Sequence, residues 1–235
     1  MPTKTKPAEH GMLFTAPLVR AIGEGLKTQT RRPVTPQPWQ VMPARAGEPV
    51  WPYGFRYYKG STTDGEPFRM KSPYGGPGDL IYVRETWAPV PEHRPIADPE
   101  RYPRPGAFYK ADGNRPMWAG TKWKPSIHMP KWAARYWLEI TDVRVERVQG
   151  IGEEDAIAEG LNCRNFTGWG DESGIPSFPE PDVYELPDGK GWTESPVEAF
   201  SQHWDAIYAA KGLGWDANLW CWIYEFKKVE APNAN

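Results

Sequence analysis

The amino-acid sequence predicts an α+β fold, a small mixed β-barrel or curled sheet with flanking helices. Three observations lead to this prediction: amphipathic helical segments, strand segments that do not alternate regularly with them, and one long strand whose apolar phase changes midway. A parallel doubly wound fold would need regular alternation of strands and helices. The phase change predicts a bent strand, and bent strands are typical of barrels.

The first half of the chain predicts a helix followed by two strands. The helix begins after Thr15, which can cap it, and ends near Gly25. It leads into a corner and a strand within 27–33. A second strand is predicted over 80–87, where Glu85 shares a face with apolar side chains. Glu85 is therefore either a buried functional carboxylate or a position where that face opens to water.

The second half predicts three further strands and two helices. They are, in order, a short strand at 107–111, a bent strand at 136–148, a short helix at 153–161, a helix that begins at Ser195 and a strand at 219–229. Ser195 and Glu198 form a capping box with Pro196 at the first helical position, so this helix has the strongest start signal. Thr141 and Asp142 mark the bend.

Proline and glycine are clustered, which predicts insertions into one domain. The 235 residues include 27 Pro and 23 Gly. Because proline lacks a donor for strand pairing, the clusters predict irregular excursions near 35–76, 89–106 and 162–193. The expected organisation is a single domain over 12–229, with flexible tails at 1–11 and 230–235.

Composition excludes several classes of protein. A hydrophobic content of 39% and an aromatic content of 14% are those of a globular chain, and a net charge of −2 argues against wholesale coating of duplex DNA. Two cysteines without metal-ligand spacing predict neither a disulfide framework nor a metal site. The sequence has no common nucleotide-binding loop, and no cofactor is expected. Without a membrane span or secretory signal, a cytoplasmic protein is predicted.

One amine and two hydroxyls lie close together at the predicted corner. A hydroxyl is a useful nucleophile beside a base, and Lys27 can be that base for Thr30 if burial lowers its pKa. Strand alternation would send the two side chains to opposite faces, so they converge only if Lys27 precedes the strand. The alternative is a solvated lysine beside two strand-forming threonines, Thr28 and Thr30.

The short helix predicted at 153–161 contains four acidic side chains. Glu153, Glu154 and Asp155 are expected to stabilise the helix N-terminus. Glu159 is too far along the helix for that role. It lies away from the small apolar stripe, so periodicity predicts a solvated side chain unless another element covers that face.

Basic and aromatic side chains interleave between 122 and 137. Lysines next to tryptophans such as Trp123 can hold phosphates and stack bases, as in proteins that bind single-stranded nucleic acid. Alternatively, the tryptophans wall the core while the lysines extend to solvent. His128 taken alone is more typical of a structural histidine than of a catalyst.

These motifs resemble the ASCH domain family of the PUA-like β-barrel superfamily, in its larger phage and prophage form. The resemblance depends on GLKTQTRR at 25–32, GDLIYVRETW at 78–87, PSIHMP at 125–130 and the terminal strand, and it covers nearly all of residues 12–228. PUA-like domains commonly bind RNA, so the resemblance implies RNA or single-stranded nucleic acid as one class of partner. In such a binding module a phosphate track is expected to be lined by Lys27, Arg31, Arg32, Lys124 and Lys131.

A subset of this family consists of amidohydrolases that remove acyl groups from the 4-amino group of cytidine. The resemblance implies Lys27, Thr30 and Glu159 as the catalytic set, with Glu154 or Glu85 as alternatives for the glutamate. The expected substrate is a modified pyrimidine nucleoside or base. The substrate-binding residues expected with it are Arg32, Glu85, Trp87, Trp123 and His128. Either backbone amides or Arg32 would stabilise the oxyanion, and Trp87 or Trp123 would stack on the pyrimidine.

Overall fold

A computed structural model describes residues 6–38, 40–42, 54–58, 68–91, 106–113, 120–165 and 181–232. It is an α+β structure. The α-helices of these described residues are α1 (Ala16–Glu24), α2 (Glu153–Ala158) and α3 (Pro196–Tyr208). The strands are β1 (Glu9–Leu13), β2 (Gln29–Pro33), β3 (Gln40–Met42), β4 (Gly54–Tyr58), β5 (Phe68–Lys71), β6 (Leu80–Arg84), β7 (Trp87–Pro89), β8 (Ala107–Tyr109), β9 (Trp137–Arg147), β10 (Cys163–Arg164), β11 (Val183–Glu185), β12 (Trp192–Thr193) and β13 (Trp220–Val229).

The largest sheet contains five strands in the order β1-β6-β9-β13-β2. Strand β1 pairs parallel with β6, and β6 pairs antiparallel with β9. The sheet ends at β1 on one side and at β2 on the other, so its described strands do not close into a barrel. Smaller sheets join β3-β4-β5, β10-β11-β12 and β7-β8.

The chain divides into two compact units, each built from segments that are distant in sequence. Unit 1 is Met1–Gly25, Lys71–Val143 and Glu225–Asn235, and unit 2 is Leu26–Met70 and Arg144–Tyr224. The long strands β9 and β13 contribute residues to both units. In the part of the chain that the structure describes, no helix is long and apolar enough to cross a membrane.

Unit 1 buries apolar side chains that alternate along β6. Ile81 and Val83 are fully buried, and Glu85 follows them at the same spacing with 1% exposure. The period-two pattern of a strand therefore continues one position beyond β6 and carries a carboxylate into the interior. A separate cluster forms where Trp87 packs with Met129 and Ala133.

Unit 2 has its core around helix α3. Phe200 and Trp204 point from α3 into a buried cluster that also contains Cys221 of β13. The Ser195 hydroxyl accepts a hydrogen bond from the Glu198 backbone N–H at 3.2 Å, which confirms the predicted N-cap. A capped amphipathic helix of this length gains its stability by burying one face, as periodicity predicts.

The structure confirms some predicted elements and shortens others. Helix α1 begins after Thr15 and ends at Gly25, whose φ of 79° is the left-handed conformation that favours glycine. Helix α2 ends at Ala158, so Glu159 is its C-terminal cap. The single strand predicted over 80–87 is wrong in extent, because β6 ends at Arg84 and Trp87 begins a strand of another sheet.

Two predictions about irregular segments are wrong in part. The tail predicted at 1–11 contains the start of β1, which pairs with β6 from Glu9 onward. The insertions near 35–76 and 162–193 contain the two small sheets β3-β4-β5 and β10-β11-β12. Residues 1–5, 92–105 and 233–235 lie outside the described residues, and the single domain stays a prediction.

Candidate functional site

The segment before β2 lies against the end of helix α2. Lys27 and Glu159 form an isolated antiparallel bridge, and the Thr28 backbone N–H donates to the Ala158 carbonyl at 2.9 Å. Strand β2 begins only at Gln29, so Lys27 precedes the strand and its direction is not set by strand alternation. This is the placement that a Lys27–Thr30 pair requires.

The Lys27 amine and the Glu159 carboxylate form a buried ion pair. Lys27 Nζ donates to Glu159 Oε2 at 2.8 Å and to the Glu159 carbonyl at 2.7 Å. Lys27 is 3% exposed and Glu159 is 7% exposed. The solvated lysine and the solvated glutamate are therefore both wrong: the segment before β2 covers the face of α2 that its own apolar periodicity left open.

Burial lowers the pKa of Lys27 below its usual value of 10.5. The Glu159 carboxylate opposes this shift, while the positive charges of Arg32 and Arg31 add to it. The amine and the carboxylate can hold one proton between them in two ways, as an ammonium–carboxylate pair or as a neutral amine and a carboxylic acid. Because the Lys27 amine leaves water, its neutral form is less costly here than on a protein surface.

Arg31 joins this pair to a wider network of charges. Its side chain is 0% exposed, with Nη1 at 3.5 Å from Glu159 Oε1 and Nη2 at 2.7 Å from Asp155 Oδ2. Arg144 donates to Asp155 and to the Gln29 side chain, both at 2.9 Å. Burial raises the pKa of Asp155, but its bonds to the two arginines outweigh burial and the net shift is downward.

Strand β2 is covered on both faces. Gln29, Thr30 and Arg31 are each 2–3% exposed, whereas an edge strand with one solvated face would alternate. Thr30 and Arg32 share the face opposite Arg31. Arg32 is half-buried and hydrogen-bonds to the phenol of Tyr208, whose pKa burial raises and Arg32 lowers, with a net rise.

The buried carboxylate of unit 1 belongs to a second cluster. The Arg135 guanidinium binds both oxygens of Glu85, at 2.9 and 3.2 Å, and both oxygens of Asp112, at 2.8 Å. It lies 4.2 Å from the Tyr109 ring centroid and 4.9 Å from that of Tyr136. Burial raises the pKa of Glu85, and Arg135 only partly opposes that rise.

The predicted stacking residues also lie in unit 1. Trp87 is 4% exposed and packs at 5.8 Å, edge to face, on Trp132, with Lys124 Nζ 5.3 Å above its ring. Trp123 is half-buried against a small apolar cluster, and His128 is exposed in a 3₁₀ turn. Trp87 is therefore a core side chain, and Lys124 extends to solvent. This agrees with the alternative in which the tryptophans pack in the core and the lysines are exposed.

The structure brings together part of the predicted site. Of the three carboxylates considered, Glu159 contacts Lys27, Glu154 is exposed, and Glu85 is paired with Arg135 in the other unit. Lys27, Thr30, Arg32 and Glu159 belong to unit 2.

Sequence reasoning missed the ion pairs of Arg31 and Asp155 and placed Arg31 only in a phosphate track. Asp155 was interpreted as serving the helix N-terminus, whereas its carboxylate binds two arginines. The available signal was the spacing of Asp155 and Glu159, which are four residues apart and so one above the other on a helix.

Comparisons with protein-family models, with curated proteins and with solved structures find no match. Among the described residues, no group of three His, Cys, Asp or Glu side chains is placed to hold a metal ion. The site is therefore described by its own chemistry: the buried Lys27 amine, paired with the buried Glu159 carboxylate, lies three residues before the buried Thr30 hydroxyl.

Proposed function

We propose that this protein is an amidohydrolase that removes the acyl group from the 4-amino group of N4-acylated cytidine or cytosine. The observation that carries the proposal is the buried Lys27–Glu159 pair directly before the strand that holds buried Thr30. The substrate class comes from the resemblance of the motif at 25–32 to ASCH amidohydrolases. The PUA-like mixed β-barrel is part of the same proposal and rests on the same resemblance.

In the first half of the reaction the acyl group moves to the enzyme. Neutral Lys27 takes the proton of the Thr30 hydroxyl as its oxygen attacks the amide carbonyl carbon. Collapse of the tetrahedral intermediate breaks the carbon–nitrogen bond, and Glu159 protonates the departing 4-amino nitrogen. The products of this step are an acyl-threonine ester and free cytidine.

In the second half water releases the acyl group. Lys27 first passes the proton it took from Thr30 to the Glu159 carboxylate, which restores the neutral amine and the carboxylic acid. Lys27 then accepts a proton from water as the water oxygen attacks the ester carbonyl, and it gives this proton to the Thr30 oxygen as the ester bond breaks. The net reaction is amide plus water giving carboxylic acid plus amine. Arg32, oriented by its bond to Tyr208, supplies a positive donor for the oxyanion of both tetrahedral intermediates.

The environment of Lys27 supports its role as a base. A lysine in water is protonated at neutral pH, but burial and two neighbouring arginines favour the neutral amine. Proton transfer within the pair converts an ammonium and a carboxylate into the base and the acid that the mechanism uses, without exchange with solvent.

The proposal is tested with N4-acetylcytidine and the purified full chain, following cytidine release by chromatography. Thr30→Val keeps the shape of the buried side chain and removes the nucleophile, so turnover should fall at least about a thousand-fold. Thr28→Val is the matched control: Thr28 is exposed in the same segment and should tolerate the change. Absence of cytidine release by the unmodified protein, or equal activity of Thr30→Val, would refute the hydrolase.

A second candidate is a module that binds RNA or single-stranded nucleic acid. The observation in its favour is an exposed apolar and basic surface in unit 1, where Ile127 is 60% exposed and Trp132 is 52% exposed near Lys124 and Lys131. Exposed aromatic rings next to lysines suit base stacking with phosphate contact.

The sequence also predicted Lys27 and Arg31 as part of that phosphate track. Both are buried in ion pairs, so they present no charge to a polymer at the surface. Binding of a single-stranded oligonucleotide that weakens steeply with added salt, and that is lost in Trp132→Ala, would support this candidate.

A further inference from the structure

Arg31 is the hub of the charged network in unit 2. Strand periodicity assigns it no role, and the predicted phosphate track does not fit a side chain with no exposure. Its guanidinium is within 4 Å of three carboxylates, those of Asp155, Glu159 and Glu146, at 2.7, 3.5 and 3.6 Å. A side chain with no exposure and three anionic neighbours is committed to that network.

We propose that Arg31 is a positioning residue that holds Glu159 Oε1 so that Oε2 stays on the Lys27 amine, and that Asp155 anchors Arg31 in turn. The inference rests on the proposed function for its catalytic meaning, because only then does the position of Glu159 affect a reaction.

The two oxygens of Glu159 are held by different cations. Lys27 Nζ lies 2.8 Å from Oε2, and Arg31 Nη1 lies 3.5 Å from Oε1. Rotation of the carboxylate would break at least one of these contacts. The shorter bond of Arg31, at 2.7 Å, is to Asp155, so Arg31 is fixed at Asp155 and directs its other nitrogen to Glu159.

The helix places these two carboxylates on one face. Asp155 and Glu159 are four residues apart, and two like charges at this spacing repel each other. Arg31 lies between them and neutralises the repulsion with a planar fork that reaches both. A lysine at this position would present one point of charge and could not bind both carboxylates with fixed geometry.

The charge of Arg31 also acts on Lys27. The groups that face the pair are Glu159 from the end of α2, Arg31 and Arg32 from β2, Tyr208 from α3 and Cys221 from β13. Burial raises the pKa of Tyr208, and it raises that of Cys221 to about 12, so both stay neutral near pH 7. Removing Arg31 therefore leaves the pair in a more negative environment, and Lys27 should hold its proton more tightly.

The experiment follows Lys27 directly by NMR titration of the full chain labelled with 13C in its lysine side chains. The Lys27 resonance is assigned by its absence in Lys27→Met. In Arg31→Met the titration midpoint of Lys27 should rise, because a like charge next to the amine is lost. The matched control is Arg144→Met, which removes a cation bound to Asp155 but not to Glu159 and should shift the midpoint by less than half as much.

Equal shifts in the two variants, or an unchanged midpoint in Arg31→Met, would overturn the positioning role. If Arg31→Met does not fold, Asp155→Asn replaces it. This change removes a negative charge and keeps the side-chain shape, so the Lys27 midpoint should fall, and a rise or no change would overturn the role equally.

Kinetics separate this inference from the proposed function. With N4-acetylcytidine, Arg31→Met should lower kcat about ten- to a hundred-fold with KM little changed, and it should move the ascending limb of the pH–rate profile to higher pH. An unmodified protein without turnover would refute the hydrolase, while the NMR titration would still decide whether Arg31 controls the pair.

Discussion

The two buried ion-pair clusters of this protein differ in the cation that faces the carboxylate. In unit 2 the amine of Lys27 faces Glu159, and in unit 1 the guanidinium of Arg135 faces Glu85. A guanidinium does not lose its proton in a protein, whereas a buried lysine does so readily. The Lys27 cluster is therefore suited to acid–base chemistry, and the Arg135 cluster is suited to holding structure.

The two clusters also differ in how their carboxylates are compensated. Glu159 is bound by Lys27 and Arg31, whereas the Glu85 carboxylate is bound, among the described residues, by Arg135. The loss of one cation should thus be more damaging in unit 1 than in unit 2, because it leaves a buried charge without a partner.

The largest expected effect on activity comes from placing an arginine in the Lys27 cluster, as in the Arg135 cluster. Lys27→Arg keeps a positive charge next to Glu159 but removes the group that can become a neutral base. Turnover of N4-acetylcytidine should fall by about 10² to 10⁴-fold, the usual contribution of a general base. Lys190→Arg, at an exposed lysine of the same unit, is the control and should keep its activity. Full activity of Lys27→Arg would show that the proton on residue 27 plays no part.

The next effect is on stability and compares the loss of each cation. Arg135→Met should lower the free energy of unfolding by about 3 kcal/mol, since Glu85 is left buried without its partner. Lys27→Met should cost less, because Arg31 still binds Glu159. Urea unfolding of both variants gives the two values, and a larger loss for Lys27→Met would reverse the comparison.

The contributions of Glu85 and Asp155 to the free energy of unfolding should change with pH in opposite directions. The pKa of Glu85 is raised above its usual value of 4.5, so its contribution to stability is present below that pH and is lost as pH rises through the folded-state pKa. The pKa of Asp155 is lowered below 3.8, so its contribution is present above 3.8 and is lost as pH falls through the folded-state pKa.

Unfolding of the unmodified protein, Glu85→Gln and Asp155→Asn between about pH 3 and pH 7 tests these signs. As pH rises, the stability of the unmodified protein relative to Glu85→Gln should decrease. Over the same range its stability relative to Asp155→Asn should increase. The same sign at both positions would contradict the pKa shifts.

The smallest expected effect concerns the aromatic ring below Arg135. The Tyr109 hydroxyl donates to the Ala133 carbonyl at 2.8 Å, and burial raises its pKa to about 12. Tyr109→Phe keeps the ring against Arg135 and removes one hydrogen bond, which should cost about 1 kcal/mol by urea unfolding. Turnover should not change, and a loss of activity would mean that the two units are coupled.

Local sequence signals predicted the elements whose stability depends on neighbouring residues. Helix α3 was predicted from Ser195, Glu198 and its apolar stripe, and the structure confirms both the cap and the buried face. Helix α1 lies where Thr15 and Gly25 predicted it, but the Thr15 side chain makes no capping hydrogen bond. Caps and periodicity act within one or two turns, so a single sequence contains them completely.

The candidate site could be predicted only in part. The motif at 25–32 indicated Lys27 and Thr30, and the resemblance indicated Glu159. Periodicity alone predicted that Glu159 is solvated, because its partner Lys27 lies 132 residues away in sequence. Arg31 and Asp155 are 124 residues apart and had no local signal as a pair.

The sequence by itself determined the α+β class, the two amphipathic helices α1 and α3, and the positions of the amine, hydroxyl and carboxylate that are candidates for chemistry. Only the tertiary structure decided which of these groups leave water and which charges they meet. Burial and pairing depend on elements that are distant in the chain, and they alone shift the pKa of Lys27 from that of a surface lysine toward that of a base.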